Sequence, residues 1–331
     1  MKFLVLLLSL FFSFTAFADT PLNNTSHTET TESFQTDTIT KFVEFNQLEI
    51  QSNCIQKYFN LDQLETDPDI EQSLTNYNNC LTKNVIKAID QFCLDNSKEP
   101  ENRVPYCEIT LTRDLFSIQI SLSNFYNNLF SINNQKDSVD IQSQIEENIY
   151  LIDYLYKTLL EQSLYEGKVS FNTIPDKLNK TFYNQFKSFS KKYLPQEKEE
   201  AILIKKQNEI SDICAKQSSI NKPSTSGYQF REDLVKFNTC LKKEVVKTIN
   251  IFCEKHSPTS TSNCKSKLVS DIDNFQNNVM QFYFNMYNIR DNGQLGNMRP
   301  GMNIGNDLLY LYKVLLNQLL QKDISKRNPP V

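Results

Sequence analysis

Apolar residues recur along this chain at helical spacing. Leu111, Leu115, Ile118, Leu122, Phe125, Leu129 and Ile132 follow one another in alternating steps of four and three, the period of a helix that buries one face. Taken alone, Phe116, Ile118, Ile120 and Leu122 alternate as a strand would. The ambiguity is removed further on, where Leu268, Ile272, Phe275, Val279, Phe282, Met286 and Ile289 repeat the same steps. Before the first seam, Ile70, Leu74, Tyr77, Leu81, Val85, Ile89 and Phe92 mark another helix, with Asp67 suited to its N-cap and Pro68 to its first position. Leu234, Phe237, Leu241, Val245, Ile249 and Phe252 match it in the second half. A first helix around Cys54 or Cys214, and a last one through Ile145, Ile149, Ile152, Tyr156, Leu159 and Leu160, bring the count to four per half. The pattern predicts an all-α fold: a tandem duplication of a disulfide-bonded antiparallel four-helix module.

The duplication is read from spacing. Cys54, Cys80 and Cys93 stand 160 residues before Cys214, Cys240 and Cys253, and Cys107 stands 157 before Cys264. Tyr154-Leu155-Tyr156-Lys157 returns as Tyr310-Leu311-Tyr312-Lys313, 156 residues later. Small length changes between matched blocks place the differences in loops. The expected organisation is a signal peptide over 1–18, a disordered Thr/Ser-rich leader over 19–37, and modules over 38–167 and 196–323. A linker spans 168–195 and a tail 324–331. Each module carries its own four cysteines and is expected to fold alone.

Lys2, the apolar run from Phe3 to Phe14 and Ala16-Phe17-Ala18 have the order of a secretory signal, with an apolar run shorter than the ~20 residues of a membrane span. That address sets the cysteine chemistry. Eight cysteines entering an oxidising route read as four disulfides, whereas zinc would need closer pairs and more histidines than His27 and His256. On a continuous helix Cys80 and Cys93 lie ~20 Å apart, far beyond disulfide reach. Of the remaining pairings, Cys54 with Cys80 and Cys93 with Cys107 are favoured, because the latter two bracket the loop 96–105. Cys214 with Cys240 and Cys253 with Cys264 follow in the second half. Neither of two cysteine-bonded helical families fits: saposin-like domains use six cysteines with close pairs, and twin C-x9-C proteins need a second close pair.

A net charge of -4 offers no basic field for nucleic acid. Three features stand out for binding. Tyr154, Tyr156, Tyr310 and Tyr312 could line a ligand pocket in each module, since a phenol joins apolar area to a polar tip. In the linker, Phe182, Phe186 and Phe189 share a helical face flanked by Lys187, Lys191 and Lys192, which suits contact with an anionic membrane surface or a partner, or packing on a module. Asn23, Asn24 and Asn179 head glycosylation sequons. The glycine-rich stretch Asp291–Asp307 reads as a flexible loop, since it holds no phosphate-binding motif.

Catalytic patterns are missing: no G-x-S-x-G or H-E-x-x-H occurs and the cysteines are committed to bridges. The function expected is a non-enzymatic binding protein, secreted or in the secretory lumen, that presents two similar helical surfaces to a protein or polymer and needs no cofactor or metal. The alternatives are a carrier of a lipid-like or other hydrophobic ligand and, behind it, an enzyme without a known motif.

Overall fold

The computed structural model describes residues 29–59, 70–96, 100–132, 145–148, 150–160, 197–222, 226–291 and 298–320. Among them all regular structure is helical. The first half supplies α1 (Glu29–Tyr58), α2 (Ile70–Asn96), α3 (Pro100–Ile132) and a π-helical segment, Leu151–Tyr156, with α-helical turns over 145–148 and 157–160. The second supplies α4 (Glu197–Ser218), α5 (Gly227–His256), α6 (Thr261–Asp291) and α7 (Met298–Leu320).

Three boundaries differ from expectation. Helix α1 begins at Glu29, inside the stretch expected to be disordered. Neither glycine nor proline interrupts residues 29–58, so a helix anchored by buried Val43, Cys54 and Ile55 extends backward at little cost per added residue. Helix α3 starts at Pro100 and carries Pro105 within it, where a loop to residue 105 was expected. Pro100 occupies a position whose N–H has no helical partner, and Pro105 removes only one bond near the helix start. Of the flexible loop expected over Asp291–Asp307, the part from Met298 onward is instead helical, in α7, and residues 292–297 lie outside the described residues. Asp67 and Pro68 lie outside the described residues.

The glycines of α7 serve close packing. A Cβ on Gly301 would stand 2.6 Å from Leu234 Cδ2, and one on Gly305 would stand 3.0 Å from Asn238 Oδ1 and 3.1 Å from Phe237 Cε1. Asn238 Nδ2 donates to the Gly301 carbonyl at 2.7 Å. Two glycines four residues apart thus let α7 lie against α5 backbone to side chain.

All eight cysteines are bonded, in the favoured pairing. Cys54–Cys80 and Cys214–Cys240 tie the first helix of each half to the second, with Cα atoms 5.8 and 5.5 Å apart. Cys93–Cys107 and Cys253–Cys264 clamp the next turn, each at 5.8 Å. In the second turn, Ser257 N–H donates to Cys253 O at 2.9 Å and Cys264 N–H to Ser260 O at 3.0 Å. The heptad positions from Leu111 to Leu129 and from Leu268 to Met286 are all buried, and they belong to one hydrophobic core that runs through both halves.

One difference between the halves lies in the π-helical segment. Gln47 Nε2 donates to the Ile152 carbonyl and Gln207 Nε2 to the Leu309 carbonyl, each at 2.9 Å and buried. Ile152 and Leu309 are 157 apart, whereas Tyr154 and Tyr310 are 156 apart. The first half therefore carries one extra residue, Asp153, between the two matches. A π-helical turn accommodates one added residue while the helix keeps its course on both sides.

Gly301→Ala is expected to lower stability by about 1–2 kcal/mol, because overpacking against Leu234 outweighs the gain in helix propensity. The midpoint of chemical unfolding measures it. Replacing Cys54 and Cys80 together by Ser should cost about 3 kcal/mol through loop-closure entropy, read from the same midpoint.

Candidate functional site

Helices α3 and α6 cross antiparallel, and their contacts are reciprocal. Asn128 Nδ2 donates to Asp271 Oδ2 at 2.8 Å, and Asn285 Nδ2 donates to Asp114 Oδ2 at 2.6 Å. Asn128 and Asn285 are 157 residues apart, and so are Asp114 and Asp271. The same pair of residue types is thus exchanged in both directions, the pattern of an isologous interface within one chain. Near its middle Asn278 Nδ2 donates to the Ser117 carbonyl at 3.0 Å.

Beneath the crossing lies a cluster of tyrosines and acids. Tyr310 OH donates to the Glu146 carbonyl at 2.9 Å, so the 2.5 Å contact between the Tyr126 and Tyr310 hydroxyls takes its proton from Tyr126. Tyr150 OH donates to Asp307 Oδ1 at 3.0 Å. Each half gives one acid and one tyrosine to these two links. The rings close the space: Tyr150 stacks on Tyr154 with centroids 5.3 Å apart, and Tyr310 lies 5.5 Å from Tyr150 and 5.3 Å from Tyr154. Phe275 of α6 meets Tyr150 edge to face at 5.3 Å.

Burial sets the electrostatics. The Glu146 carboxyl is pushed up to about 7, chiefly because it is taken out of water; Lys313 pulls it down and Glu200 pushes it up. Lys313 and Glu200 are themselves an ion pair joining α7 to α4. The Asp307 carboxyl is held well above the usual carboxylate range by burial, opposed by the Tyr150 hydroxyl. Its second oxygen, Oδ2, has no hydrogen bond among the described residues. Both acids are therefore built to be protonated more readily when folded.

The four tyrosines expected to line pockets divide into two pairs. Tyr154 and Tyr310 meet in the cluster and fill it. Tyr156 and Tyr312 stand apart, each facing an acid of the first helix of its own half: burial and Glu49 push Tyr156 up to about 12, and burial with Glu244 and Glu209 raises Tyr312. Glu49 and Glu209 are 160 apart. Asn23, Asn24 and Asn179, and the linker residues Phe182, Phe186, Phe189, Lys187, Lys191 and Lys192, lie outside the described residues. The heptad reading missed Tyr126, Glu146, Tyr150 and Asp307. Tyr126 was detectable, since Tyr283 stands 157 residues after it and is likewise buried.

A cleft opens to solvent above the crossing, with a volume of about 460 Å³ between α3 and α6. Among the described residues no helix is long and apolar enough to cross a membrane. No family model, curated protein or solved structure matches the chain.

A carboxyl whose folded pKa is raised stabilises the fold at low pH. That contribution is complete below the unfolded value of 4.5 and is lost as pH rises through about 7. Unfolding midpoints measured across this window should fall with rising pH, and Glu146→Gln should flatten the trend by on the order of 3 kcal/mol.

Proposed function

We propose that the protein is a secreted or lumenal, non-enzymatic binding protein whose stapled helices hold a recognition face for an amphipathic helix of a partner protein. Four disulfides and the lack, among the described residues, of a membrane-crossing helix fit an extracellular or lumenal setting. The observation that carries the reading is the outer face of α3. Tyr106, Ile109, Phe116 and Ile120 are 69, 69, 46 and 63% exposed, with Arg113 between them. Their steps of three, seven and four form a second apolar heptad stripe on the side away from the buried seam. Apolar side chains at such spacing on one exposed helix face mark an interaction surface.

The two halves do not present equal faces. The residues 157 positions later are Asn263, Ser266, Asp273 and Asn277, all polar. The stripe on α3 therefore has no apolar counterpart at the matching positions of α6.

A photo-crosslinking residue placed at Ile109 should capture one discrete partner from the secretory fluid, and Phe116→Lys should abolish the capture while leaving the melting temperature within a few degrees of the parent. The control position Lys222, on the turn after α4, should capture nothing. Native mass spectrometry of the purified protein should give the polypeptide mass with any attached glycans. A retained hydrophobic small molecule, together with no crosslink at Ile109, would replace this reading with the carrier.

A further inference from the structure

The cleft above the α3·α6 crossing differs in chemistry from the apolar stripe beside it. Its α3 wall is Ser117, Ile120, Ser121 and Asn124, and its α6 wall is Asp271, Asn274, Asn277 and Asn278. Four carboxamides and two hydroxyls line it, with one carboxylate and no cation among the lining residues. A site without a cation offers nothing to phosphate or sulfate, and one with this much polar surface does not suit an acyl chain.

The cleft's depth comes from how the two halves differ. Ser117, Ile120 and Ser121 stand 157 residues before Asn274, Asn277 and Asn278. In two of these three matched positions α3 has a serine where α6 has an amide, and across the crossing Ser117 lies against Asn278. The buried seam below keeps its bulk, with Leu122 and Phe125 matched by Val279 and Phe282. Small residues opposite longer amides leave an open volume of about 460 Å³, within the ~300–1,000 Å³ range of small-ligand sites.

The polar groups are partly fixed and partly available. Ser117 Oγ donates to the Arg113 carbonyl at 3.1 Å and Ser121 Oγ to the Ile118 carbonyl at 2.8 Å. Their protons are used within the helix, so both oxygens face a ligand as acceptors. Asn278 is held by the Ser117 carbonyl and Asp271 by Asn128, at 3.0 and 2.8 Å. Asn124, Asn274 and Asn277 make no side-chain hydrogen bond among the described residues, and each amide offers a donor and an acceptor. Adjacent donors and acceptors without net positive charge match the paired hydroxyls of a sugar, and exposed Ile120 offers apolar area for the C–H face of its ring.

From this geometry we infer that the cleft between α3 and α6 is a binding site for a neutral polyhydroxylated ligand, a short run of sugar units. The inference goes beyond the partner-helix reading by adding a second ligand class beside the α3 stripe.

The test uses the full-length, disulfide-bonded protein on an array of neutral and of sialylated or sulfated oligosaccharides, followed by calorimetric titration. Neutral oligosaccharides should be retained, with affinity that changes less than about twofold when salt is raised, since no ion pair is made. The double substitution Asn274→Leu and Asn277→Leu, on exposed positions, should weaken binding at least tenfold while circular dichroism and melting stay unchanged. Should that variant unfold, Asn124→Ala supplies a smaller lesion and must still weaken binding. Released glycans and the same glycans on a carrier protein should compete equally, which assigns binding to the sugar. Retention of no neutral glycan, preference for the anionic ones, or unchanged affinity in the variants overturns the site. Crosslinking from Ile109 is scored separately, so loss of the sugar site leaves the partner-helix reading standing, and loss of the crosslink leaves the sugar site standing.

Discussion

The antiparallel crossing of α3 and α6 is the contact on which the rest of the molecule depends. Each of these helices buries an apolar heptad seam, and the face that each turns to the other carries polar residues: Asp114, Ser117 and Asn128 on α3, and Asp271, Asn278 and Asn285 on α6. A polar face can be buried only when its groups are paired. Asn128 with Asp271 and Asn285 with Asp114 meet that condition reciprocally. With the crossing set, the last helices of the two halves are brought together beneath it. There Tyr126, Tyr150 and Tyr310 reach across to their partners, and the hydrophobic core becomes continuous.

How much of this could be read in the sequence depends on whether a residue's role is local. The apolar period of Leu111–Ile132 and its repeat identified buried helices, since periodicity reports the face a helix turns inward. Disulfide pairing followed from helix rise alone, because Cys80 and Cys93 cannot meet along one helix. The seam between the halves escaped that reasoning. Asn128, Asp114, Asn285 and Asp271 look like ordinary solvated side chains, and only the packing of two helices distant in sequence brings them together as two part-buried pairs. The acids Glu146 and Asp307 were hidden in the same way, as their character comes from burial by the other half. Gly301 and Gly305 misled for a related reason. Glycine marks a loop by local conformation and a close helix crossing by tertiary contact, and here the second applies.

The differences between the halves bear on the proposed binding role. Interior positions are repeated: Gln47 and Gln207 bond the corresponding helix in the same manner, and the seam residues match in bulk. Exterior positions are not. Ile109, Phe116 and Ile120 face solvent where the second half carries Ser266, Asp273 and Asn277, and the cleft gains its volume where serines oppose amides. Conserving the frame while altering its surface lets one scaffold offer an apolar stripe and a polar cleft side by side. The disulfides support that arrangement by limiting the unfolded chain and the motion of the first turns, while the buried acids tie the stability of the junction to pH.

Differential scanning calorimetry of the intact, oxidised protein tests the shared seam most directly. If the halves are held by common burial of Tyr126, Tyr150, Tyr310 and the Asn–Asp pairs, neither can melt without exposing the other's core. One cooperative transition should then appear, with calorimetric and van't Hoff enthalpies equal. Asn128→Leu, which leaves Asp271 without its partner, should shift the whole transition downward. Two resolved transitions, with the substitution moving only one of them, would show that each half holds its own core and would contradict the shared seam.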